Sequence, residues 1–408
     1  MSRAPNVLDY AVAGNERMDR LRRSLASVAG SLIGLVLVLL IFGLWEPNRF
    51  LSASAFGNVF RTNYTVAIVA VGATFIVISG GIDLSVGSTM ALSCVICAMA
   101  VKGIQFPARD VGQSVALGAG AGLLAGICVM GQLLQRARPL WATTLISAGA
   151  WAAVTVVVGL AWYVLGGAKL APMSGLGGVL VGTAVGTAVG LVNGALVTSV
   201  LLPPFIVTLA TLQAIRGLAQ YVANDVPVSL PTPETINGVT AAAPLNDLHY
   251  GSWLGLPPNV WIALVVVLVA VPLLHFTVLG RYTYAIGSNE RTARLCGVRV
   301  GLWKLLVYGI GGATAGLAGA IVTSKYTGGQ PTEFQGIELT VIAAVVIGGT
   351  SLFGGEGTIL GTFLGVLMLG FLYTGCNIAD ISNNIQKMFI GGTIVLAAAI
   401  DRFRHMRR

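Results

Sequence analysis

Charge is what this 408-residue chain has least of. Asp, Glu, Lys and Arg make up 10% of it, where a soluble domain carries about 25%. Hydrophobic residues make up 55%, and the mean hydropathy is +0.85. So few charges cannot cover the surface of an ordinary globular protein, which excludes that class. Histidine is scarce too. His249, His275 and His405 lie far apart and none has metal-ligand spacing, so a membrane-embedded metalloenzyme is not expected. No glycine-rich loop is followed by Lys and Ser or Thr, so the chain has no P-loop and should not hydrolyse ATP by itself. Five cysteines are scattered, and the C-x-x-C of Cys94 and Cys97 sits inside an apolar run with no His or further Cys near it. That context speaks against a redox or metal site, and no cofactor is expected in this chain. The net charge of +9 collects at the ends of apolar runs, as membrane topology requires, and is no sign of nucleic-acid binding.

Long apolar runs are what the chain does have. They are continuous rather than alternating, which excludes an outer-membrane barrel. Many are long enough to cross about 30 Å of hydrocarbon as helices, and the 54 glycines suit helices that approach closely in a membrane. The expected fold class is an all-α polytopic membrane protein with twelve spans, at 28–45, 64–80, 85–101, 113–134, 141–165, 175–200, 205–222, 259–279, 303–324, 337–350, 358–375 and 386–400. Residues 1–27 are polar, with Arg17, Arg20, Arg22 and Arg23 just before the first run, and no small-x-small cleavage site follows Trp45. An uncleaved first span is expected, with both termini cytoplasmic. Lys and Arg then number 16 inside and seven outside, with Arg216 within a span, the bias that the positive-inside rule demands. The basic tail 401–408 would face the anionic cytoplasmic leaflet.

Four stretches carry candidate function. Arg281–Lys304 holds five basic residues and one acid, Glu290. A short helix is expected inside it, capped by Ser288 or Asn289 and stopped by a left-handed Gly297. It is either a loop that only sets orientation or a docking helix for a soluble partner. SGGIDLSVGS, residues 79–88, breaks a helix with Gly80 and Gly81 and places Asp83 at the break. An acid near hydrocarbon is costly; here it is either an N-cap of the next helix or a polar lining of a transport path. IGGTSLFGGEGT, residues 347–358, is a second glycine-rich break. Asn193, Phe205, Thr208 and Gln213 offer the amide, hydroxyl and ring groups that a neutral sugar needs, or else bonds between helices. Arg216 is expected to snorkel or to pair with an acid such as Asp225, and His275 to be an interfacial polar residue.

AIGSNERTARLCGVRV (285–300) resembles the cytoplasmic segment of permease subunits of bacterial ABC importers for monosaccharides, of the ribose, xylose and arabinose type, whose usual pattern is AIGGNEEAARLSGI. Ser288, Arg291, Thr292 and Cys296 depart from that pattern without removing the helix or its glycine. SGGIDLSVGS resembles the family hallmark, IGGTSLFGGEGT is familiar from it, and the Asn193-Gly194 and Pro203-Pro204-Phe205 stretches are similar to its LxNGxLVT…PPFIVTLGT. The likeness covers roughly 60–102 and 175–400. The family has ten spans, so residues 105–172 read as an inserted helix pair within a permease domain at 28–400. The resemblance implies an inner-membrane permease working as a homodimer in the lipid bilayer, with an ABC ATPase subunit inside and a periplasmic sugar-binding protein outside. It implies ATPase coupling through loop 281–302, at Ser288, Asn289, Glu290, Arg291, Arg294, Leu295 and Gly297. Asp83, Ser85, Asn193, Phe205, Thr208 and Gln213 become candidates for the substrate pathway, and loop 223–258 a docking platform. The competing reading is a proton-coupled secondary transporter with Asp83 as carrier, weakened because proton relays usually need several buried acids.

Overall fold

A computed structural model of the chain describes residues 30–103, 140–165, 171–230 and 243–382, with parts of 119–133 and 384–399. The N-terminal segment 1–27 and the basic tail 401–408 lie outside the described residues, as does 231–242 of the long loop; the expected spans 113–134 and 386–400 do so in part. The described fold is helical apart from a two-residue ladder. In chain order its elements are α1 (Gly30–Trp45), α2 (Pro47–Phe50), α3 (Ala53–Ile78), α4 (Val86–Lys102), α5 (Leu140–Leu165), α6 (Gly175–Ser199), α7 (Pro204–Ala223), β1 (Val228–Ser229) and α8 (Ala243–Tyr250). They continue with α9 (Pro258–Phe276), α10 (Val278–Ser288), α11 (Glu290–Leu295), α12 (Val300–Lys325), β2 (Gly328–Gly329), α13 (Ile337–Ile347) and α14 (Ile359–Ile378). Six of these, α3, α6, α7, α9, α12 and α14, are long and apolar enough to cross a membrane; α1, α4, most of α5 and α13 form shorter apolar helices.

Local chemistry sets the ends. Ser52 accepts from the Ala55 N–H to open α3, Ser174 from Gly177 to open α6, and Thr358 from Gly361 to open α14. Each satisfies one of the free donors of a first turn. Pro204 starts α7, where its missing N–H costs nothing.

The contacts divide the chain into two compact units. The first holds 1–80, 262–291 and 339–408. In it α14 packs on α3, with the Thr74 and Thr362 hydroxyls bonded at 2.8 Å across the contact. Phe42, Phe50, Phe56 and Phe371 close its outer core through ring contacts at 4.9–6.1 Å.

The second unit holds 81–261 and 292–338. Its centre is α4, α6 and α12, brought together by glycine. A Cβ at Gly186 would stand 2.7 Å from the Gly316 nitrogen, one at Gly190 2.9 Å from the Gly312 Cα, and one at Gly319 2.8 Å from the Met90 Cα. Backbone meets backbone, which small residues permit in a membrane, where no hydrophobic force drives helices together. Past α12 the chain pairs briefly, Val228 with Gly329 and Ser229 with Gly328, then continues as non-helical chain beside α4. Gly329 lies against Val95, and Phe334 and Glu338 lie against Gly87.

Two expectations need correction. The span predicted at 337–350 is the 11-residue α13, only about 16 Å long at 1.5 Å per residue, roughly half the hydrocarbon core. Non-helical backbone, 327–336, precedes it. The polar stretch 281–304 is not one loop around a short helix: α10 fills it up to Ser288 and α12 begins at Val300. A Thr277 cap makes α10 a separate helix.

Candidate functional site

Three glycine-bearing turns that lie far apart in sequence meet in the first unit. The Gly355 N–H donates to the Ile78 carbonyl at 2.8 Å, and Gly287 at the end of α10 presses on that same carbonyl. Gly354 faces Gly80 at 3.1 Å from where its Cβ would be, and Gly355 faces the Ser288 nitrogen at 2.9 Å. Gly80, Gly354 and Gly355 have φ of +77°, +84° and +77°, a backbone that glycine adopts without penalty. Tyr284 locks the seat from the side. Its hydroxyl donates to the Gly357 carbonyl at 2.6 Å, and burial pushes its pKa up to about 12. The two glycine-rich breaks seen in the sequence thus form one foundation under the end of α10.

From that foundation projects α11. Asn289 is extended, at φ −161°, and separates it from α10. Gly297 at φ +83° ends it, with the Gly297 N–H donating to the Arg294 carbonyl and the Val298 N–H to the Ala293 carbonyl, both at 3.1 Å. Those two bonds are a Schellman stop, as the expected left-handed glycine requires. Ala293 is buried, whereas Ser288, Asn289, Arg291 and Arg294 are exposed and Glu290 is half-buried. Leu295 is 82% exposed, an apolar knob between arginines.

In the second unit Asp83, Ser85, Asn193 and Thr208 come together. One Asp83 oxygen accepts from both the Ser85 N–H, at 2.8 Å, and the Ser85 hydroxyl, at 2.7 Å. Asn193 donates to the Ser85 hydroxyl at 2.8 Å, and Thr208 donates to the Ile82 carbonyl at 3.3 Å. Asp83 therefore holds Ser85, and Ser85 is the N-cap position of α4. The acid acts one step ahead of the cap rather than on the helix's own first N–H groups. Asn193 Oδ1 and the Tyr308 hydroxyl are buried beside it and make no hydrogen bond with the described residues. All the partners of Asp83 are neutral donors, and bonds of this kind tie α4, α6 and α7 into one polar knot.

The remaining pathway candidates stand apart from that knot. Phe205 is 52% exposed and Gln213 is exposed one and a half turns or more further along α7. Arg216 does not pair with Asp225. Its Nη1 donates to the Pro331 carbonyl at 3.3 Å and the Glu333 carbonyl at 2.5 Å, with the carboxylates of Glu338 and Glu333 beside it. Sequence reasoning missed Glu338 as a site residue, because the signal was only an acid at the head of a short apolar run.

Comparison with known proteins bears on this geometry. Residues 145–398 match the family of the branched-chain amino acid transport system / permease component. The chain is 34% identical to the ribose import permease protein of Escherichia coli (strain K12) over 91% of this chain and 92% of that one. It is 33% identical to the ribose import permease protein of Bacillus subtilis (strain 168) over the same shares. To the L-arabinose transport system permease protein of Escherichia coli (strain K12) it is 39% identical, over 56% of this chain and 66% of that one. No solved structure matches.

Proposed function

The chain belongs to the permease-component family of membrane importers, and we propose that it is the permease subunit of an ABC importer for a monosaccharide. It is a transport component of the inner membrane, not an enzyme. Two copies would form the path, with an ATPase subunit inside and a sugar-binding protein outside, and twelve spans would leave both termini in the cytoplasm. The single observation that carries the reading is α11: an exposed, doubly terminated helix rooted in a glycine-locked seat. A helix of six residues cannot hold itself in water, so its shape depends on that seat, and a force on it passes to α3, α10 and α14. Closure of the ATPase pair on ATP would push α11 as a rigid body and change which side of the path is open. Asp83, Ser85, Asn193 and Thr208 would support the path as a fixed polar knot, while Phe205 and Gln213 would line it.

The test is reconstitution in proteoliposomes with the ATPase and binding protein. Deleting residues 289–296 should abolish uptake while leaving the membrane fold intact by thermal melting; ATP-driven uptake that persists would contradict the reading. Uptake that survives removal of the ATPase but collapses with an uncoupler would instead establish proton coupling. Impermeant thiol labelling of cysteines placed in 1–27 and 401–408 tests the topology, and reaction from outside would overturn it.

A further inference from the structure

The second half of α7 carries a polar face. The first turns of the helix expose Phe205, Ile206 and Leu209; further along Gln213, Ala214, Gly217 and Tyr221 are exposed, with Arg216 and Gln220 half-buried between them. The spacing of 213, 216, 217 and 220 puts these residues on one helical face. Beside them runs the non-helical segment before α13, where Thr332, Glu333, Gln335 and Gly336 are exposed. Gly217 and Gly336 both look into open space, with nothing within 4 Å of an added Cβ. Unpaired backbone and charged side chains at this depth survive only where protein or water satisfies them. A face of this kind suits an aqueous path.

Within it the chemistry converges. Glu338 accepts from the Gly336 N–H at 3.2 Å through Oε1, while its Oε2 is buried and makes no hydrogen bond with the described residues. That free oxygen lies over Gly87, where a Cβ would stand 2.7 Å from it, so the glycine keeps the space. Both bonds of Arg216 to the segment's carbonyls use Nη1, leaving the donors on Nη2 and Nε for a ligand. Tyr326 stands edge-on to Phe334 at 6.5 Å between ring centres, and its hydroxyl donates to Glu333 at 3.2 Å. Phe334 is held at φ +68°, a conformation uncommon for a bulky residue and one that needs a surrounding structure to fix it.

We infer that Arg216, Glu338, Gln213 and the Phe334 ring form a hydroxyl-recognising station on the translocation path, built for a neutral polyhydroxylated solute. The inference rests on the importer reading above and adds the site to it. Glu338 Oε2 accepts a solute hydroxyl, Arg216 and Gln213 donate to others, and the ring covers a C–H face. Two carboxylates against one guanidinium repel phosphorylated solutes, so the station passes the free sugar.

The test uses the complete importer in proteoliposomes with labelled D-ribose, L-arabinose and D-allose as probes. Wild-type uptake of none of the three would sink the monosaccharide reading itself, whatever the variants do. With uptake established, Glu338→Gln and Arg216→Gln should each lower it about tenfold or more, while ATP hydrolysis stimulated by the binding protein stays within about twofold. Wild-type uptake in both variants would overturn the station. A second measurement does not depend on those variants folding. Gln213→Cys should react with an impermeant thiol reagent, be read on its own peptide by mass spectrometry, and be slowed by the transported sugar. Leu268→Cys, on the exposed apolar side of α9, should stay unreactive, and equal silence at position 213 would overturn the inference.

Discussion

Gly287 lies flush against the carbonyl oxygen of Ile78, leaving no room for a side chain between the end of α10 and the end of α3. The contact is backbone on backbone, so neither partner can swing aside as a flexible side chain would. Gly287→Ala should destabilise the protein by about 1–3 kcal/mol, as overpacking does, and should cut ATP-driven uptake more than its melting temperature alone explains. Gly301→Ala, where the nearest atom to a new Cβ is 3.9 Å away, should change neither.

The polar knot around Asp83 makes a graded prediction. Asn193→Ala removes one donor from the Ser85 hydroxyl and should cost about 1–3 kcal/mol, the range for unmaking a buried hydrogen bond. Ser85→Ala removes both that acceptor and a donor to Asp83 and should cost more. Thermal melting in detergent orders the two, and the reverse order would show that Ser85 is not the hub.

Tyr284 predicts an alkaline transition. Its pKa is raised by burial from 10.0 to about 12, so the folded state holds the proton more tightly than the unfolded one. The stability this contributes is complete below pH 10 and is lost as pH rises through about 12. Tyr284→Phe should remove one late-titrating tyrosinate from the absorbance titration, and Tyr326, also raised to about 12, should remain.

Glycine packing in the second unit can be tested in the same way. Gly190→Ala drives a methyl to 2.9 Å from the Gly312 backbone and should cost about 1–3 kcal/mol or more, because a backbone cannot rotate away. Gly149→Ala in α5 meets nothing within 4 Å and should be neutral or slightly stabilising, as alanine suits a helix interior better.

What the sequence revealed and what it hid follow from range. The stop at Gly297 was legible, since a left-handed glycine after a short capped run is a local signal. So were both glycine-rich breaks, and the polar character of Asn193 and Thr208, although not their meeting beside Asp83. The meeting of residues 78–80, 287–288 and 354–357 was not, because a turn's glycines announce that something comes close without saying what. The helix α10 was hidden by its charge, which reads as loop, although Thr277 could have marked its start. Asp225 is the acid near Arg216 in sequence, whereas the acids beside it in the fold are Glu338 and Glu333, which sequence distance conceals. The non-helical segment before α13 leaves no periodic trace, so the apolar run alone reads as an ordinary span where half a helix stands.

The seating of α6 on α12 has one more consequence. With main chain resting directly on main chain from Gly186 to Gly316 and from Gly190 to Gly312, no layer of pliable side chains lies between the two rods to serve as a lubricant. Sliding one past the other would lift every glycine out of its notch at once. They must therefore turn together like a welded plank.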